Sequence, residues 1–289
     1  MDGSNIRLRD YFSLIPNNIR LLSGLARRLG LMNALAVVAF KAAGREVVRL
    51  RDCSNIKVAE NEITTSFMGR KVSLLLDREN ERNRFKTFGE VYEQFVGGHY
   101  DADVRGKTVV DIGASIGDTA VYFALRGARM VYAFEPYPYS CSIAKRNIGR
   151  NGVGKRVKLI NAGGSSRSGS VIVDPKFRNT VDDKLRSFPS GVRVPLYPLD
   201  EICRIAKDDD AVLKIDCEGC EYEIILNSSN KTLRKFSTIM LEYHNGYVDL
   251  ERKLVDAGFE VSHTGPAFVY DSAADGGFLY LGDIRARRR

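Results

Sequence analysis

Short apolar runs alternate with amphipathic segments from residue 107 to the end of the chain. The runs at 108–112 and 130–134 are each followed by a segment with helical spacing, at 118–126 and 139–151. This alternation is typical of strand–helix–strand units and of a parallel sheet. The pattern therefore predicts an α/β fold with a doubly wound, mostly parallel sheet.

Further apolar runs supply the other strands that we predict. Central strands are expected at 157–160, 212–215 and 238–241, and short strands that close the sheet at 259–262, 267–270 and 277–281. Runs at 171–173 and 192–196 predict extra strands in a long excursion between the third and fourth central strands.

The first hundred residues follow a different pattern. Apolar spacings of three and four predict a helix over 15–40, and short runs at 46–50 and 72–76 predict strands. Helical spacing returns over 84–96, with four aromatic residues on one face that we interpret as core packing: Phe85, Phe88, Tyr92 and Phe95.

These differences in hydrophobic pattern and composition divide the chain into three parts. We predict an N-terminal α+β appendage over residues 1–104 and a main domain over residues 105–284. The arginine-rich end, 285–289, is expected to be a frayed, solvated tail. The net charge of +8 is compatible with an anionic partner, such as nucleic acid, a phosphorylated sugar or a membrane surface, but solubility alone accounts for it, and we favour that interpretation.

Membrane insertion and secretion are not expected. The longest uncharged apolar stretch, 29–40, has 12 residues, whereas a helix needs about 20 to span a bilayer. No apolar segment of a signal peptide follows the polar start of the chain. We therefore expect a cytoplasmic protein.

Five cysteines are an odd number in a chain of this size, and we expect them to be reduced: Cys53, Cys141, Cys203, Cys217 and Cys220. The last two form a C-x-x-C, but the second such pair that a four-thiolate zinc site needs is absent. A redox C-x-x-C should open a helix near the start of a strand–helix–strand unit. A metal or redox role for the pair is therefore not favoured.

A glycine-containing turn follows the first central strand. Gly113 and Gly117 allow a tight turn and close approach of a ligand, where open α/β sheets bind nucleotide-like cofactors. Ser115 stands where a dinucleotide loop has its middle glycine, and Asp111 would repel a diphosphate. S-adenosyl-L-methionine has no phosphate and carries an ammonium and a sulfonium, so the turn favours this methyl donor.

Glu135 ends the second strand, 18 residues beyond Gly117. An acidic residue at about this distance accepts hydrogen bonds from ribose hydroxyls. Pro136 follows it and ends the strand. The pair extends the predicted cofactor site to a second strand.

Three segments resemble the FkbM-type methyltransferases: VVDIGASIGDTAVYFALRGA, VYAFEPYP and LKIDCEGCEYEIIL. The resemblance covers roughly residues 84–245 and implies a seven-stranded Rossmann-like methyltransferase sheet. It also implies methyl transfer from S-adenosyl-L-methionine to hydroxyl groups, often on sugars or small natural products. Three positions differ from the family pattern. Ser115 stands where these methyltransferases commonly have asparagine. Cys217 and Cys220 replace small or apolar residues, which suggests that their thiols pack as small hydrophobic groups.

The resemblance also implies roles for individual residues. Asp111, Gly113 and Gly117 would line the methionine end of the cofactor, Glu135 the ribose, and Asn161 and Ala162 the adenine. With their neighbours, the candidate cofactor residues are Asp111, Gly113, Ala114, Ser115, Gly117, Asp118, Glu135, Pro136, Asn161 and Ala162.

The predicted chemical site lies at the ends of the fourth and fifth central strands. Asp216 and Glu218 follow the fourth, Glu242 and His244 end the fifth, and all four should face the cofactor crevice. One of them would act as general base toward an acceptor hydroxyl. A divalent cation held by Asp216, Glu242 and His244 is the alternative, but no compact ligand motif is present and we favour the metal-free route.

Glu218 also has a structural interpretation, because carboxylates at a helix start interact favourably with the helix dipole. Three other functions stay open: methylation of an RNA ribose hydroxyl, an NAD-dependent oxidoreductase, and a non-enzymatic binding module. A small-molecule or glycan-like acceptor is favoured over nucleic acid, because no RNA-binding module is recognisable. The sequence predicts neither the acceptor itself nor the oligomeric state.

Overall fold

A computed structural model describes residues 56–59, 62–75, 81–178, 185–270 and 278–289. The predicted helix over 15–40 and strand over 46–50 lie outside these residues. No helix in the described parts of the chain is long and apolar enough to cross a membrane.

The described N-terminal part is a small antiparallel sheet followed by a helix. Its elements are β1 (Lys57–Val58), β2 (Glu62–Phe67), β3 (Arg70–Leu75) and α1 (Glu81–Phe95). Ile63 and Leu74 are buried in the same apolar cluster as Val109 and Phe123 of the main sheet and its first helix. The Leu75 N–H also donates to Asn147 Oδ1 at 2.8 Å. This part of the chain therefore shares a core with the main domain.

The main domain alternates strands and helices as the apolar pattern predicts. Its elements are β4 (Thr108–Ile112), α2 (Asp118–Leu125), β5 (Met130–Phe134), α3 (Pro138–Arg150), β6 (Val157–Ile160), β7 (Gly163–Gly164), β8 (Gly169–Val173), β9 (Val192–Tyr197), α4 (Leu199–Ala206), β10 (Ala211–Ile215), α5 (Cys220–Asn227), α6 (Asn230–Leu233), β11 (Phe236–Tyr243), α7 (Val248–Asp256), β12 (Phe259–His263), β13 (Ala267–Tyr270) and β14 (Phe278–Arg288).

Seven strands form the main sheet in the order β12-β14-β11-β10-β4-β5-β6, and β13 pairs only with β14. The central neighbours from β11 to β6 are parallel, and β14 runs antiparallel to β11 and β12. The prediction of a mostly parallel seven-stranded sheet is confirmed. The chain order reverses between β4 and β10, and ligands of open α/β sheets bind at this point.

Alternate residues of each central strand pack on opposite faces of the sheet. Val109 lies in one apolar cluster with helices α2 and α3, whereas Val110 lies in a second cluster with α4, α5 and α7. All five residues of β4 and of β10 are buried. Burial on both faces explains why these strands read as continuous apolar runs rather than as alternating ones.

The excursion between β6 and β10 forms a third sheet, of three strands, in the order β7-β9-β8. The predicted strands at 171–173 and 192–196 lie in β8 and β9. An aromatic cluster covers this sheet, where Phe177 lies 5.2 Å from Tyr137 and 5.1 Å from Phe188 between ring centroids.

The prediction of a frayed basic tail is wrong, because residues 285–288 belong to β14. Ile284 and Ala286 are fully buried and alternate with arginines, as the period of two in a strand requires. Arg285 donates to the carbonyl oxygens of His99 and Asp101, and Arg288 to that of Arg234. These two cations therefore have partners within the chain.

Candidate functional site

The turn after β4 packs tightly against the ends of β5 and β10 and against α3. Gly113, Ser115 and Gly117 all have left-handed backbone, with φ of 81°, 44° and 81°. The N–H groups of Gly113 and Ala114 both donate to the carbonyl oxygen of Phe134 at 3.0 Å. A Cβ on Gly117 would lie 3.1 Å from Ala144 in α3, so this glycine is needed for helix packing.

Asp111 is fully buried beneath the turn and forms an ion pair with Lys214, its register partner on β10. Lys214 Nζ lies 3.1 Å from Asp111 Oδ1 and donates to the carbonyl oxygen of Gly113 at 2.7 Å. The hydroxyl of Thr119 donates to Asp111 Oδ2 at 2.7 Å. Asp111 thus holds the turn from below.

Lys214 and Asp118 belong to the same buried charge cluster. Burial opposes the charge of Lys214, but the carboxylates of Asp111, Asp216 and Asp118 hold its pKa above the ordinary value. Burial raises the pKa of Asp118 to about 7, with Lys214 acting against this shift and Asp111 adding to it.

Glu135 lies at the end of β5, where its carboxylate accepts two backbone hydrogen bonds. Oε2 accepts from the Ser115 N–H at 3.0 Å, and Oε1 from the Tyr137 N–H at 2.9 Å. Burial raises the pKa of Glu135 to about 7, although both N–H groups oppose the shift. Asn161 Nδ2 donates to the carbonyl oxygens of Glu135 and Pro136, both at 2.9 Å, and fixes the chain after β5.

A cavity opens at the carboxyl ends of β4, β5 and β10, where the chain order reverses. Its lining comprises four carboxylates, three glycines, a serine, two cysteines and five apolar residues: Glu90, Ile112, Gly113, Ser115, Phe134, Glu135, Pro136, Tyr137, Gly163, Gly164, Leu185, Asp216, Cys217, Glu218 and Cys220. Among these described lining residues there is neither lysine nor arginine.

The cavity contains six of the residues predicted from the sequence: Gly113, Ser115, Glu135, Pro136, Asp216 and Glu218. The other eight are not among its lining residues: Asp111, Ala114, Gly117, Asp118, Asn161, Ala162, Glu242 and His244. Several of these eight support the lining, as Asp111 and Asn161 do by the bonds above. The roles of all fourteen toward a cofactor or acceptor stay predictions.

Asp216 follows β10 and faces the cavity. Its Oδ2 accepts a hydrogen bond from the Tyr100 hydroxyl at 3.1 Å. Burial acts to raise the pKa of Asp216, but the charges of Lys214 and His244 lower it below its ordinary value. The carboxylate is therefore ionised at neutral pH and can accept a proton or a hydrogen bond from a ligand.

His244 lies between two carboxylates. Nε2 is 3.1 Å from Glu218 Oε2, and Nδ1 is 2.9 Å from Oε1 of the fully buried Glu221. Burial opposes protonation, but the hydrogen bonds and charges of Glu218 and Glu221 raise the pKa of His244 to about 12. Both ring nitrogens then carry protons, so His244 has no free lone pair in this arrangement.

Glu221 also shapes the loop between β10 and α5, because its Oε2 accepts the Gly219 N–H at 2.9 Å. Potential metal-ligand atoms of Asp216, Glu218 and His244 lie within 4.8 Å of one another. This group contains Glu218 where the sequence suggested Glu242. A metal ligand needs neutral imidazole, so a cation at this group would have to replace the contact between His244 Nε2 and Glu218.

The expectation of reduced thiols is wrong for Cys217 and Cys220, which form a disulfide. The left-handed backbone of Glu218 and Gly219, with φ of 59° and 110°, turns the chain between them. This turn brings their Cα atoms to 5.5 Å, within the range that a disulfide spans. Cys141 and Cys203 are free, as predicted, and Cys53 lies outside the described residues.

Four residues near the cavity were not predicted from the sequence: Glu90, Tyr100, Lys214 and Glu221. The role of Lys214 could have been predicted from the sequence, because a lone lysine within the apolar run 212–215 must be paired if the strand is buried. The positions of Tyr100 and Glu90 could not, since their approach to β10 depends on tertiary packing.

The Methyltransferase FkbM domain matches residues 111–261, which is more than half of the chain. The chain belongs to the FkbM methyltransferase family. The resemblance noted in the sequence is thereby confirmed. In this FkbM methyltransferase, the matched range begins at Asp111 in β4 and ends at Val261 in β12, so Glu90 and Tyr100 reach the cavity region from outside it.

Three solved structures are similar to this FkbM methyltransferase in fold. Precorrin 8W decarboxylase of Methanobacterium thermoautotrophicum has 19% identity and a TM-score of 0.38, over 64% of this chain and 82% of that one. Precorrin-6y C5,15-methyltransferase of Geobacter metallireducens has 14% identity and a TM-score of 0.39, over 64% and 81%. TrmK of M. capricolum, in complex with S-adenosylhomocysteine, has 13% identity and a TM-score of 0.36, over 63% and 62%. No curated protein matches the sequence.

Proposed function

We propose that this chain transfers the methyl group of S-adenosyl-L-methionine to a hydroxyl group of a small-molecule or glycan-like acceptor. The cavity at the ends of β4, β5 and β10 is the proposed cofactor site. The observation that carries the proposal is the charge of its lining, which has four carboxylates and, among the described lining residues, no lysine or arginine.

This charge separates two cofactors that α/β sheets of this kind bind. A dinucleotide places a diphosphate at the turn after the first strand, where Asp216 and Glu218 would repel it. S-adenosyl-L-methionine carries two positive groups and no phosphate, so the same carboxylates attract it. An NAD-dependent oxidoreductase is therefore the weaker alternative.

The proposed cofactor contacts come from the turn and from β5. Gly113 presents backbone without a Cβ, and Ser115 has a buried hydroxyl with no hydrogen-bond partner among the described residues. Glu135 faces the cavity and is proposed to accept hydrogen bonds from ribose hydroxyls. Asp111 acts indirectly, because its carboxylate is bound by Lys214 and Thr119.

The bound cofactor supplies a methyl group activated on a sulfonium sulfur. The acceptor hydroxyl must lose a proton during transfer, and Asp216 is the proposed base because it is ionised and faces the cavity. Glu218 also faces the cavity and is the second candidate. His244 is proposed to position Glu218 rather than to act as base, since both its ring nitrogens are bonded.

Isothermal titration calorimetry with S-adenosylmethionine, S-adenosylhomocysteine and NADH tests the cofactor. Wild type should bind the first two with micromolar affinity and NADH at least about a hundredfold more weakly. Glu135→Ala should lose about tenfold in affinity for both methyl-cofactor forms. Glu260→Ala, an exposed glutamate on β12, is the matched control and should bind as wild type does.

Two results would contradict the proposal. Tight binding of NADH without binding of S-adenosylmethionine would favour an oxidoreductase, and equal affinity in wild type and Glu135→Ala would mean that the cofactor site is misplaced. RNA as acceptor predicts binding of a single-stranded oligonucleotide that weakens steeply with salt. A hydroxylated small-molecule or glycan acceptor predicts no such binding.

A further inference from the structure

The C-x-x-C pair occupies a distinctive place in the fold. Cys217 follows β10 by two residues, Cys220 is the first residue of α5, and β11, parallel to β10, follows this helix. The pair therefore opens the helix of a strand–helix–strand unit. Cysteine pairs at such positions exchange readily, because a helix N-terminus stabilises a thiolate.

The pair lies in the wall of the cavity. Both cysteines are partly exposed and line the cavity. The two free cysteines differ, since burial raises the pKa of Cys141 and of Cys203 to about 12 and leaves them almost wholly protonated. Thiol exchange is therefore expected at the pair rather than at the other described cysteines.

The disulfide spans two residues whose backbone bears on the cavity. Glu218 has a left-handed φ of 59°, which a residue with a Cβ adopts only under constraint. In this conformation its carboxylate reaches His244 Nε2 at 3.1 Å. The cross-link from Cys217 to Cys220 supplies such a constraint, so its opening allows Glu218 to relax away from His244.

We propose that Cys217 and Cys220 form a reversible thiol–disulfide site, exchanged by a low-molecular-weight thiol of the glutathione class, which sets the position of Glu218 in the cavity. The proposal rests on the proposed function only in taking this cavity as the site of the cofactor. The oxidised form is the state with Glu218 at His244.

Reduction proceeds by two exchanges. A glutathione thiolate bonds to Cys217 Sγ, the Sγ–Sγ bond breaks, and its electron pair leaves on Cys220 Sγ, at the start of α5. Cys217 is the poorer leaving group, because the Glu221 carboxylate lies 3.7 Å from its sulfur. A second glutathione thiolate then attacks the glutathione sulfur, Cys217 leaves and is protonated, and two glutathiones have become one glutathione disulfide.

The experiment equilibrates the full chain in glutathione buffers from fully oxidised to fully reduced. Peptide mass mapping gives the fraction of the pair that is oxidised, and calorimetry gives the affinity for S-adenosylmethionine, in each glutathione buffer. We expect the oxidised fraction and the affinity to change at the same redox potential. Binding of S-adenosylmethionine should be about fivefold weaker in the reduced form. Cys217→Ser and Cys220→Ser should behave as the reduced form at every poise, whereas Cys141→Ser should titrate as wild type does.

A second readout does not depend on the ligand. The ring resonances of His244, assigned with the variant His244→Gln, should differ at one neutral pH between the oxidised form, where Glu218 lies at Nε2, and the reduced form, where Glu218 has left it. A pair that remains bonded in fully reduced glutathione, or two redox forms with the same His244 resonances, would overturn the proposal. If neither form binds S-adenosylmethionine, the proposed function fails, and the His244 resonances still decide this proposal.

Discussion

The α-carbon of Gly113 faces the carbonyl oxygen of Asp216 so closely that a Cβ on Gly113 would lie 1.7 Å from that oxygen. The two residues follow β4 and β10, the strands between which the chain order reverses. Their contact closes the floor of the cavity, and it allows the Asp216 side chain and the glycine turn to border the same space.

Substitution of Gly113 should therefore disrupt both folding and cofactor binding. We expect Gly113→Ala to lower the free energy of unfolding by about 3 kcal/mol or more, because the Cβ must displace backbone as well as adopt a left-handed φ. Urea denaturation measures this loss. Gly106→Ala is the matched control: φ is also left-handed at 72°, but a Cβ there meets nothing within 4 Å. A loss of about 1 kcal/mol in both variants would contradict the tight contact.

The buried pair of Asp111 and Lys214 makes a second prediction. Lys214→Met leaves a carboxylate uncompensated at a fully buried position, so the free energy of unfolding should fall by about 3 to 5 kcal/mol. The double variant Lys214→Met/Asp111→Asn removes that charge and keeps an acceptor for Thr119, and it should recover part of the loss.

An exposed pair provides the control for this experiment. Lys235 Nζ lies 3.0 Å from Asp209 Oδ1, and the aspartate side chain is 82% exposed. Lys235→Met should cost about 1 kcal/mol or less, as surface ion pairs do. Equal losses at Lys214 and Lys235 would mean that Lys214 is hydrated in solution.

Local pattern was sufficient to predict the sheet but not the surroundings of the site. The strands 108–112, 130–134 and 157–160 agree with β4, β5 and β6 to the residue, since each is an apolar run bounded by polar residues. The tail was misread because its arginines dominate the local composition, whereas the fold uses Ile284 and Ala286 between them.

Residues that reach the site from a distance could not be predicted. Tyr100 precedes β4 and contacts Asp216, 116 positions later in the chain. Glu221 lies in the first turn of α5 and His244 follows β11, and only the packing of α5 against β11 brings the two side chains to 2.9 Å. The ion pair of Asp111 with Lys214 was likewise not predicted, since it depends on the register of β4 and β10.

The raised pKa of Glu135 predicts a pH dependence of stability. Its pKa is about 7 in the folded chain against an ordinary value of 4.5. The folded state therefore binds more protons than the unfolded state between these values, and the unfolding free energy falls as pH rises from about 4.5 to about 7. Glu135→Gln removes this contribution, worth about 3 kcal/mol.

Chemical denaturation of both proteins at several pH values measures this contribution. The difference in unfolding free energy, wild type minus Glu135→Gln, should decrease across this window. Glu260→Gln, at an exposed position on β12, is the matched control for the substitution itself. A difference that instead increases with pH would mean that the backbone N–H groups of Ser115 and Tyr137 outweigh burial and lower the pKa of Glu135.

The hydrogen bonds of His244 predict that the site works without a divalent cation. A metal needs a deprotonated ring nitrogen, whereas Nε2 and Nδ1 of His244 both lie at hydrogen-bond distance from carboxylate oxygens, at 3.1 and 2.9 Å. Calorimetry with manganese chloride at neutral pH should show no site tighter than about 1 mM, and EDTA should leave the affinity for S-adenosylmethionine unchanged. Saturable manganese binding that is lost in His244→Gln and kept in His263→Gln would show instead that Glu218 leaves Nε2 free, with Asp216 and Glu218 as the other ligands.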